Sequence, residues 1–439
     1  MSPELATIII FGSLLLLLAL GVPMAFALGG VATISALVFL GPKSLAVFPQ
    51  IVWTTMNSFV VLAVPIFIFM AILLERSGIA EELYEAMHQW MGPINGGLAM
   101  GTVLICTLFA AMSGVSAAAT VTMGLIAVPA MLKRSYNRSI VLGSICAGGA
   151  LGVLIPPSIL MVLIGELGSI SVGKLFIGGI VPGLILSTLF IVYIGIRCLL
   201  RPNLGPAISS SEAISWKKKF VGLRAVILPV MIVIAVLGTI FFGIASVTEA
   251  AAVGAAGAVL SAIIHRKFNW STFKESCYIT LRQSSMILWI VLAASLFNVI
   301  YTATGSSAFI HEFIVGTSNN VWITIALIQL VLIFFGCFLE PVGIILITVP
   351  ILHPIIQSLG FDPVWFGVLI IVNLQLGYLT PPFGVNLFFL KSVAPDYITM
   401  SDIYRSVAPF LICQLIGLII VIVFPMTVTW LPDLMMKYY

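Results

Sequence analysis

Two apolar stretches contain residue types that interrupt membrane helices and leave backbone groups free to bind ions. The first begins with AAMSGVSAAATVTMG at 110–124 and ends with GGALGVLIPPS at 148–158. Backbone freed by such Gly, Ser and Pro-Pro clusters is tolerated at membrane depth only when it is buried in protein or lines a wet cavity. Freed carbonyl oxygens suit Na⁺, and half-helix N-termini favour anions. The predicted chemistry is therefore binding of a cation and an anion near mid-membrane.

The same pattern recurs in the second half of the chain. FFGCFLEPVGIILITVP at 334–350 is followed by LQLGYLTPPFGVNLF at 374–388. GVLIPPS at 152–158 aligns with GYLTPPF at 377–383, at an offset of 225 residues. A single break is often only a kink in a packed helix. Four breaks in matched positions favour a ligand site at the interface of two repeats.

These breaks predict two Na⁺ sites, each formed where a hairpin turn meets a broken span. The carbonyl groups that the first half offers belong to Ser113, Gly152, Ile155 and Pro157. Those that the second half offers belong to Gly336, Gly377, Thr380 and Phe383. The Thr380 hydroxyl supplies one further oxygen to the second site. With two sites, the predicted coupling ions number two or more.

Four residues beside the breaks are candidates for substrate contact: Ser116, Glu340, Gly343 and Asn386. Ser116 and Gly343 lie where helices restart after the turns, so N–H groups there would face a carboxylate. Glu340 is ionisable at predicted membrane depth, which makes a functional role the default; the alternative is that it ties down the turn. Glu249, three residues after Ser246, instead predicts a helix-capping box.

The composition places these stretches in a polytopic membrane protein. The 439 residues are 61% hydrophobic and 8% charged, with a mean hydropathy of +1.23, whereas a soluble domain carries roughly 25% charged residues. The net charge of +4 gives no indication of a nucleic-acid partner. The six cysteines form no C-x-x-C pair and are interpreted as apolar fillers. No catalytic dyad, metal cluster or nucleotide motif is present in the sequence, which argues against a membrane-embedded enzyme, the more distant alternative.

Hydrophobic patterning predicts an all-α fold with five spans and one re-entrant hairpin in each half. The halves are predicted at 1–200 and 224–439, joined by a polar linker at 201–223. The predicted hairpin helices are 94–112 with 117–132, and 321–336 with 342–356. The predicted broken spans are 139–167 and 363–394, and an amphipathic arm helix is predicted at 75–91.

The positions of the charges predict an orientation. With the linker in the cytoplasm, every Lys and Arg falls inside except Lys43, Lys174 and Lys437. Because five spans is an odd number, the second half enters with the opposite orientation, as an inverted repeat. Both termini are then periplasmic, hairpin 1 opens to the cytoplasm, and hairpin 2 opens to the outside.

At these residues the chain resembles the large membrane subunit of tripartite ATP-independent periplasmic (TRAP) transporters. The resemblance covers nearly the whole chain. Its motifs are MSGVSAAAT (112–120), GGALGVLIPPS (148–158), TEAAAVG (248–254), GCFLEPVGIILITVPIL (336–352) and LGYLTPPFGVNLF (376–388). It implies an elevator-type secondary transporter in the bacterial inner membrane, driven by a Na⁺ gradient. The carbonyl positions named above match the Na⁺ positions that the family implies.

The same resemblance implies partners and a substrate class. A periplasmic binding protein would deliver an organic acid of the sialic acid or C4-dicarboxylate type, and a small four-helix membrane subunit, expected as a separate chain, would brace the large one in the lipid bilayer. The alternative is a stand-alone Na⁺-coupled carboxylate transporter of a related inverted-repeat family. A Ser-Asn-Thr motif at both hairpin tips would favour that alternative, and neither tip contains it.

Overall fold

The computed structural model describes residues 2–207, 219, 222, 224–316, 320–382 and 384–437, and within these ranges the only regular secondary structure is helical. Numbered in chain order, the α-helices are α1 Pro3–Ala19, α2 Met24–Ser35, α3 Phe48–Met56, α4 Ala63–Arg76, α5 Ile79–Met91, α6 Gly97–Ser113, α7 Ser116–Lys133, α8 Arg138–Ala150, α9 Ile159–Gly168, α10 Val172–Leu200, α11 Arg224–Phe241, α12 Val247–Ile264, α13 Trp270–Ala303, α14 Ser306–Gly316, α15 Val321–Gly336, α16 Pro341–Ser358, α17 Pro363–Leu379, α18 Val385–Val393, α19 Met400–Val423 and α20 Met426–Met435.

The lengths and composition of these helices are those of a multi-pass membrane protein. In the described part of the chain, six are long and apolar enough to cross a membrane: α7, α10, α12, α13, α16 and α19. Helices α4 and α5 together pass the same test but are bent by 59° at a short break. Shorter apolar helices of 10–17 residues account for most of the other predicted spans. The predicted all-α polytopic fold is confirmed.

Both predicted hairpins are present as helix pairs joined by short turns. Helices α6 and α7 are separated by Gly114 and Val115, and Gly114 has a φ of +62°, a left-handed conformation that glycine adopts without steric cost. Helices α15 and α16 are joined by the turn 337–340, after which Pro341 occupies the first helical position. The turn residues therefore fix where each helix stops and restarts.

Each predicted broken span is interrupted at its Pro-Pro pair. Helix α8 ends at Ala150 and passes through a 3₁₀ turn, Leu151–Val153, before α9 starts after Ser158. The Ser158 hydroxyl donates to the Val153 carbonyl at 2.5 Å, which helps to hold the break together. Helix α17 ends at Leu379, and α18 starts after Gly384. The Pro156–Pro157 and Pro381–Pro382 peptide bonds are both cis.

The hairpins and broken spans pack reciprocally. In each half, the first hairpin helix packs against the first part of the broken span: α6 against α8, and α15 against α17. The remaining parts cross between halves, because α9 packs against α16 and α18 packs against α7. Gly168 lies against Val349 in one crossing, and Gly124 lies against Leu390 in the other.

The other helices fall into two sets according to what they pack against. The hairpins and broken spans of both halves, α6–α9 and α15–α18, are called the hairpin group. Helices α10 and α19 pack on it through α6, α8 and α17. Helices α2, α4, α11, α12 and α13 pack mainly on one another. The helices packed beside the hairpin group therefore include α10 and α19. This set is larger than the two segments that carry the breaks, 94–167 and 321–394.

Three boundaries differ from those that the hydrophobic pattern predicts, which are a span at 51–74, a connecting helix at 273–282 and a last span at 408–431. The chain between Ile51 and Leu74 is not one helix, since α3 ends at Met56 and the Asn57 side chain donates to the Trp53 carbonyl at 2.8 Å. Helix α13 runs unbroken through the polar residues near 282, where no Gly or Pro interrupts it. The last span ends at Val423, because Phe424 precedes a proline and leaves the helical region. The predicted capping box of Ser246 and Glu249 is confirmed.

Candidate functional site

The turn of hairpin 1 lies directly against the first broken span. A Cβ atom added to Gly152 would lie 3.0 Å from the Val115 carbonyl oxygen and 3.1 Å from the Ser116 Cα atom. Gly114 meets the Pro157 carbonyl group in the same way. The structure therefore brings the turn after Ser113 together with Gly152 and Pro157, as the sequence predicts. Only glycine allows this approach, because the atoms facing each missing Cβ belong to backbone.

At hairpin 2, the residue that meets the second broken span is Gly336, the last residue of α15, directly before the turn. A Cβ atom on Gly377 would lie 2.8 Å from the Gly336 Cα atom and 2.9 Å from the Gly336 carbonyl oxygen. The Thr380 hydroxyl donates to the Leu376 carbonyl at 2.6 Å, which fixes its oxygen beside Gly377. Phe383, the remaining candidate of this half, lies outside the described residues.

At the two breaks, the described residues offer backbone carbonyl oxygens and the hydroxyls of Ser158 and Thr380. Oxygen ligands suit hard cations. Uncharged oxygen ligands suit a monovalent cation that has to be released again during transport. In the part of the chain that the structure describes, no group of three or more His, Cys, Asp or Glu residues is placed to hold a metal ion. The chemistry of the donor set therefore fits Na⁺ better than a transition metal.

Ser116 and Asn386 bind each other across the two halves. The Ser116 hydroxyl donates to the Asn386 side-chain oxygen, and the Asn386 amide nitrogen donates to the Cys146 carbonyl at 3.1 Å. Both side chains are buried, with exposures of 2% and 0%. The structure thus uses both predicted substrate contacts to join α7 and α8 to the start of α18.

Glu340 and Gly343 lie at the interface between hairpin 2 and the first two helices. Glu340 is part of the lining of a cavity of about 810 Å³, whose other walls come from α2 and α13. Gly343 packs against the Met24 side chain so closely that a Cβ atom there would overlap it. Hairpin 2 therefore presents a carboxylate and a helix start to the same interface.

A second, smaller cavity lies beside the start of α7. Its volume is about 230 Å³, and its walls come from α4, α7, α13 and Phe389 of α18. Glu75 and Gln283 supply polar side chains to it, and the half-buried Ala117 and Ala118 line it from the first turn of α7. Glu75 and Gln283 are not among the predicted site residues. Each stands at the polar end of an apolar run, which was the available signal.

A set of buried side-chain amides is also absent from the predicted site residues: Gln329, Asn373, Gln375 and Gln414, with exposures between 0% and 4%. Amides are costly to bury in an apolar environment unless they are hydrogen-bonded. Their signal in the sequence was a polar residue within an otherwise apolar segment, and Gln375 also lies two residues before Gly377 in the motif at 374–388.

Comparison with known proteins identifies the family. The family described as "Tripartite ATP-independent periplasmic transporter, DctM component" matches residues 11–427. The chain is 31% identical to the C4-dicarboxylate TRAP transporter large permease protein DctM of Vibrio cholerae, with 98% of each chain covered. It is 30% identical to the sialic acid TRAP transporter large permease protein SiaM of the same species, over 98% of this chain and 99% of that protein.

A solved structure shows the same fold at much lower sequence identity. The YdaH transporter of Alcanivorax borkumensis superimposes with a TM-score of 0.60 at 14% identity, over 87% of this chain and 89% of that chain. The relatives named above are transporter permeases, so the prediction that this chain is not an enzyme is confirmed. The broken helices and paired hairpin turns described above are thus those of a transport protein, and the chain belongs to the DctM component family of tripartite ATP-independent periplasmic transporters.

Proposed function

We propose that this chain is the large permease of a Na⁺-driven importer that carries an organic acid across the bacterial inner membrane. The observation that carries the proposal is that each hairpin, at its turn or directly before it, lies against the broken span of its own half. Gly152 meets Val115 and Ser116, and Gly336 meets Gly377. Two matched oxygen-lined breaks support binding of two or more Na⁺ ions.

The coupling of Na⁺ to the substrate has an electrostatic basis. Cations bound at the breaks would offset the negative charge of a carboxylate, whose desolvation at membrane depth is otherwise costly. The N-terminal ends of α7 and α16 add favourable dipoles for that carboxylate. Each positive charge that enters also moves down the membrane potential, worth about 2.3 kcal/mol per 100 mV.

The substrate class follows from the relatives and from the site. The relatives named above carry C4-dicarboxylates and sialic acid according to their names, and both substrates bear carboxylate groups. The cavity of about 230 Å³ beside the first turn of α7 is the proposed entry of the acid to the Na⁺ sites. Gln283 supplies a neutral hydrogen-bonding group to its wall, whereas the carboxylate of Glu75 in the same wall disfavours the acid when it is ionised.

The proposed mechanism is an elevator in which the hairpin group moves against a fixed frame. The frame consists of α2, α4, α11, α12 and α13, which pack mainly on one another. The reciprocal packing of α7 with α18 and of α9 with α16 supports an inverted repeat that moves as one unit. Helix α5 packs on α6 of that unit. It also contacts the frame, since it packs on α4 and α11 and its Glu82 lies 3.3 Å from His265 at the end of α12. Helix α5 is therefore the proposed hinge-bearing arm.

Contacts among the loops support the proposed orientation. The linker binds the base of hairpin 1, since Gly96 donates to the Gly205 carbonyl at 2.7 Å and Asn137 donates to the Leu204 carbonyl at 2.9 Å. All of these loops belong to the side that the charges assign to the cytoplasm. A cytoplasmic linker places both termini in the periplasm, where a substrate-binding protein would dock. A small four-helix membrane subunit is the proposed brace of the frame.

Uptake in proteoliposomes tests this function. The chain is reconstituted with its small membrane subunit, and uptake of labelled sialic acid or succinate is measured with the matching binding protein present or absent. We expect uptake only with an inward Na⁺ gradient and the binding protein. Equal uptake with K⁺ in place of Na⁺ would contradict the Na⁺ coupling, and equal uptake without the binding protein would favour the stand-alone carrier.

A further inference from the structure

Helix α17 carries two buried amides, two residues apart, that bind different parts of the protein. The Asn373 amide nitrogen donates to the Gln329 side-chain oxygen at 2.7 Å and to the Gln329 backbone carbonyl at 3.0 Å. These contacts join α17 to α15, so they stay within the second half. The Gln375 amide nitrogen instead donates to the Ala150 carbonyl at 2.9 Å, in the first half.

Gln375 stands between the two candidate Na⁺ sites. It lies two residues before Gly377, which meets the turn of hairpin 2. Its hydrogen-bond partner Ala150 lies two residues before Gly152, which meets the turn of hairpin 1. One side chain therefore joins the helical turns that lead into both breaks. Residues 375 and 150 are also 225 positions apart, the offset between the two Pro-Pro motifs.

The hydrogen bonds around Gln375 form a directed chain. The Gln414 amide nitrogen donates to the Gln375 side-chain oxygen at 2.7 Å, and Gln375 donates onward to Ala150. Gln375 and Gln414 are both 0% exposed, so water does not replace a lost partner. In such surroundings an unmade hydrogen bond is costly, and bonds in a chain polarise one another. The side chain of Gln375 is thus held in one position from both ends.

A second amide holds the preceding turn of α8. The Asn386 amide nitrogen donates to the Cys146 carbonyl, one helical turn before Ala150. The end of α8 is therefore fixed by side chains from the second half, where the second broken span lies. A shift of the last turn of α17 on cation binding moves Gln375, and with it the carbonyl group that leads into Gly152.

We propose that Gln375 couples the two Na⁺ sites, so that occupation of one raises the affinity of the other. The proposal rests on the proposed function, because it requires that both breaks bind Na⁺. Gln375 is a positioning residue in this role, since its side chain is used by Gln414 and Ala150 and does not contact the ion. Couplings between sites in proteins commonly correspond to about 5- to 150-fold changes in affinity.

The test uses Na⁺ itself as the probe and needs no knowledge of the organic acid. The full chain, purified with its small membrane subunit, is titrated with NaCl against KCl at constant ionic strength and fixed temperature, and intrinsic tryptophan fluorescence reports binding. We expect a sigmoidal Na⁺ dependence for the wild type. In Gln375→Met, which keeps the length of the side chain, the Hill coefficient should fall towards one, and the half-saturating Na⁺ concentration should rise about 5-fold or more.

Asn373→Leu is the matched control, because it also removes a buried amide from α17 but breaks contacts only within the second half. Its Hill coefficient should equal that of the wild type even if its unfolding temperature falls. Gln414→Met serves as a second variant if Gln375→Met does not fold. It frees the Gln375 oxygen while leaving the bond to Ala150, so its Hill coefficient should lie between those of the wild type and Gln375→Met.

The outcomes separate the coupling from the proposed function. A wild-type protein without any Na⁺ response would overturn both. A Na⁺ response that is not sigmoidal in the wild type, or one that stays equally steep in Gln375→Met, would overturn the coupling alone. An equal loss of steepness in Asn373→Leu would show that any buried amide of α17 has this effect, which also overturns the assignment to Gln375.

Discussion

Gly336 and Gly377 pack against each other at the positions where other residues carry a Cβ atom. Neither glycine therefore has space for a side chain. A Cβ atom on Gly336 would lie 3.0 Å from the Gly377 Cα atom, and one on Gly377 would lie 2.8 Å from the Gly336 Cα atom. The two glycines belong to different helices, the first hairpin helix of the second half and the first part of its broken span. Their contact sets the distance between the carbonyl groups of the second candidate Na⁺ site.

Substituting Gly377 by alanine should therefore displace hairpin 2. The added methyl group meets backbone atoms, which cannot turn aside as a flexible side chain would. Overpacking of this kind typically costs about 1–3 kcal/mol. We expect Gly377→Ala to lower Na⁺-dependent uptake strongly and to reduce the unfolding temperature, measured by transport in proteoliposomes and by thermal unfolding.

Gly12→Ala is the control for this substitution. Gly12 is also helical, but nothing lies within 4 Å of its missing Cβ atom. Alanine favours a helix over glycine by about 0.8–1.0 kcal/mol, so the variant should be as stable as the wild type or more so. Full transport by Gly377→Ala would show that the contact with Gly336 does not set the geometry of the site.

Replacing Thr380 by alanine should weaken Na⁺ binding and leave the fold intact. The substitution removes the hydroxyl oxygen beside Gly377, whereas the Pro381–Pro382 break stays. A tenfold rise in the Na⁺ concentration for half-maximal uptake, equivalent to ~1.4 kcal/mol, is the expected size. Uptake is measured over a range of Na⁺ concentrations at fixed substrate.

Thr188 provides a matched control for Thr380. Its hydroxyl makes the same type of bond, to the Leu184 carbonyl at 2.7 Å, but on an exposed face of α10 away from the breaks. Thr188→Ala should show the Na⁺ dependence of the wild type. If Thr380→Ala shows that dependence as well, the hydroxyl is not a Na⁺ ligand.

A cross-link between Ala118 and Ile72 should stop transport. Both residues belong to the wall of the small cavity between α4 and α7, one on the proposed frame and one on the proposed moving unit. This pair is preferred to Ala118 with Val233, since Val233 lies on α11, which does not line that cavity. Paired cysteines at 118 and 72, bridged by a short bifunctional reagent, should trap one state and reduce uptake to the level of empty vesicles.

The cross-linking needs a background without accessible thiols. Cys277 and Cys337 are the native cysteines with partial exposure, and serine replaces both. Each single-cysteine variant, treated with the same reagent, should retain uptake. Normal uptake by the bridged protein would mean that α4 and α7 keep a constant separation during the cycle, which contradicts the elevator.

The exposed apolar surface predicts a stable complex with a small membrane subunit. Large apolar side chains stand out from the frame helices, such as Phe26 on α2 and Met231 on α11, with exposures of 74% and 61%. Lipid covers such residues equally well, but an elevator requires a frame that stays fixed. A small membrane subunit packed on these side chains would hold the frame in place. We expect the two chains to co-purify in mild detergent at equal stoichiometry. A fully active large chain purified alone would refute this prediction.

Much of the architecture follows from the sequence by itself. The apolar composition determines a membrane protein, because nothing else accommodates so few charges in 439 residues. The matched Gly and Pro clusters determine where helices break, since Pro lacks an N–H group and glycine allows the left-handed turn at Gly114. The predicted hairpins, broken spans and Ser246–Glu249 cap agree with the structure for this local reason.

Only the tertiary structure decided which of these local features meet. No local rule indicates that Asn386 reaches Ser116 and Cys146, or that Gln375 crosses to Ala150, because those partners are more than 200 residues apart. The sequence pattern likewise did not indicate on which sides α10 and α19 pack. In both helices the apolar residues are spread over most of the circumference. Burial of complementary surfaces and the need to pair buried amides select these contacts, and both depend on the whole fold.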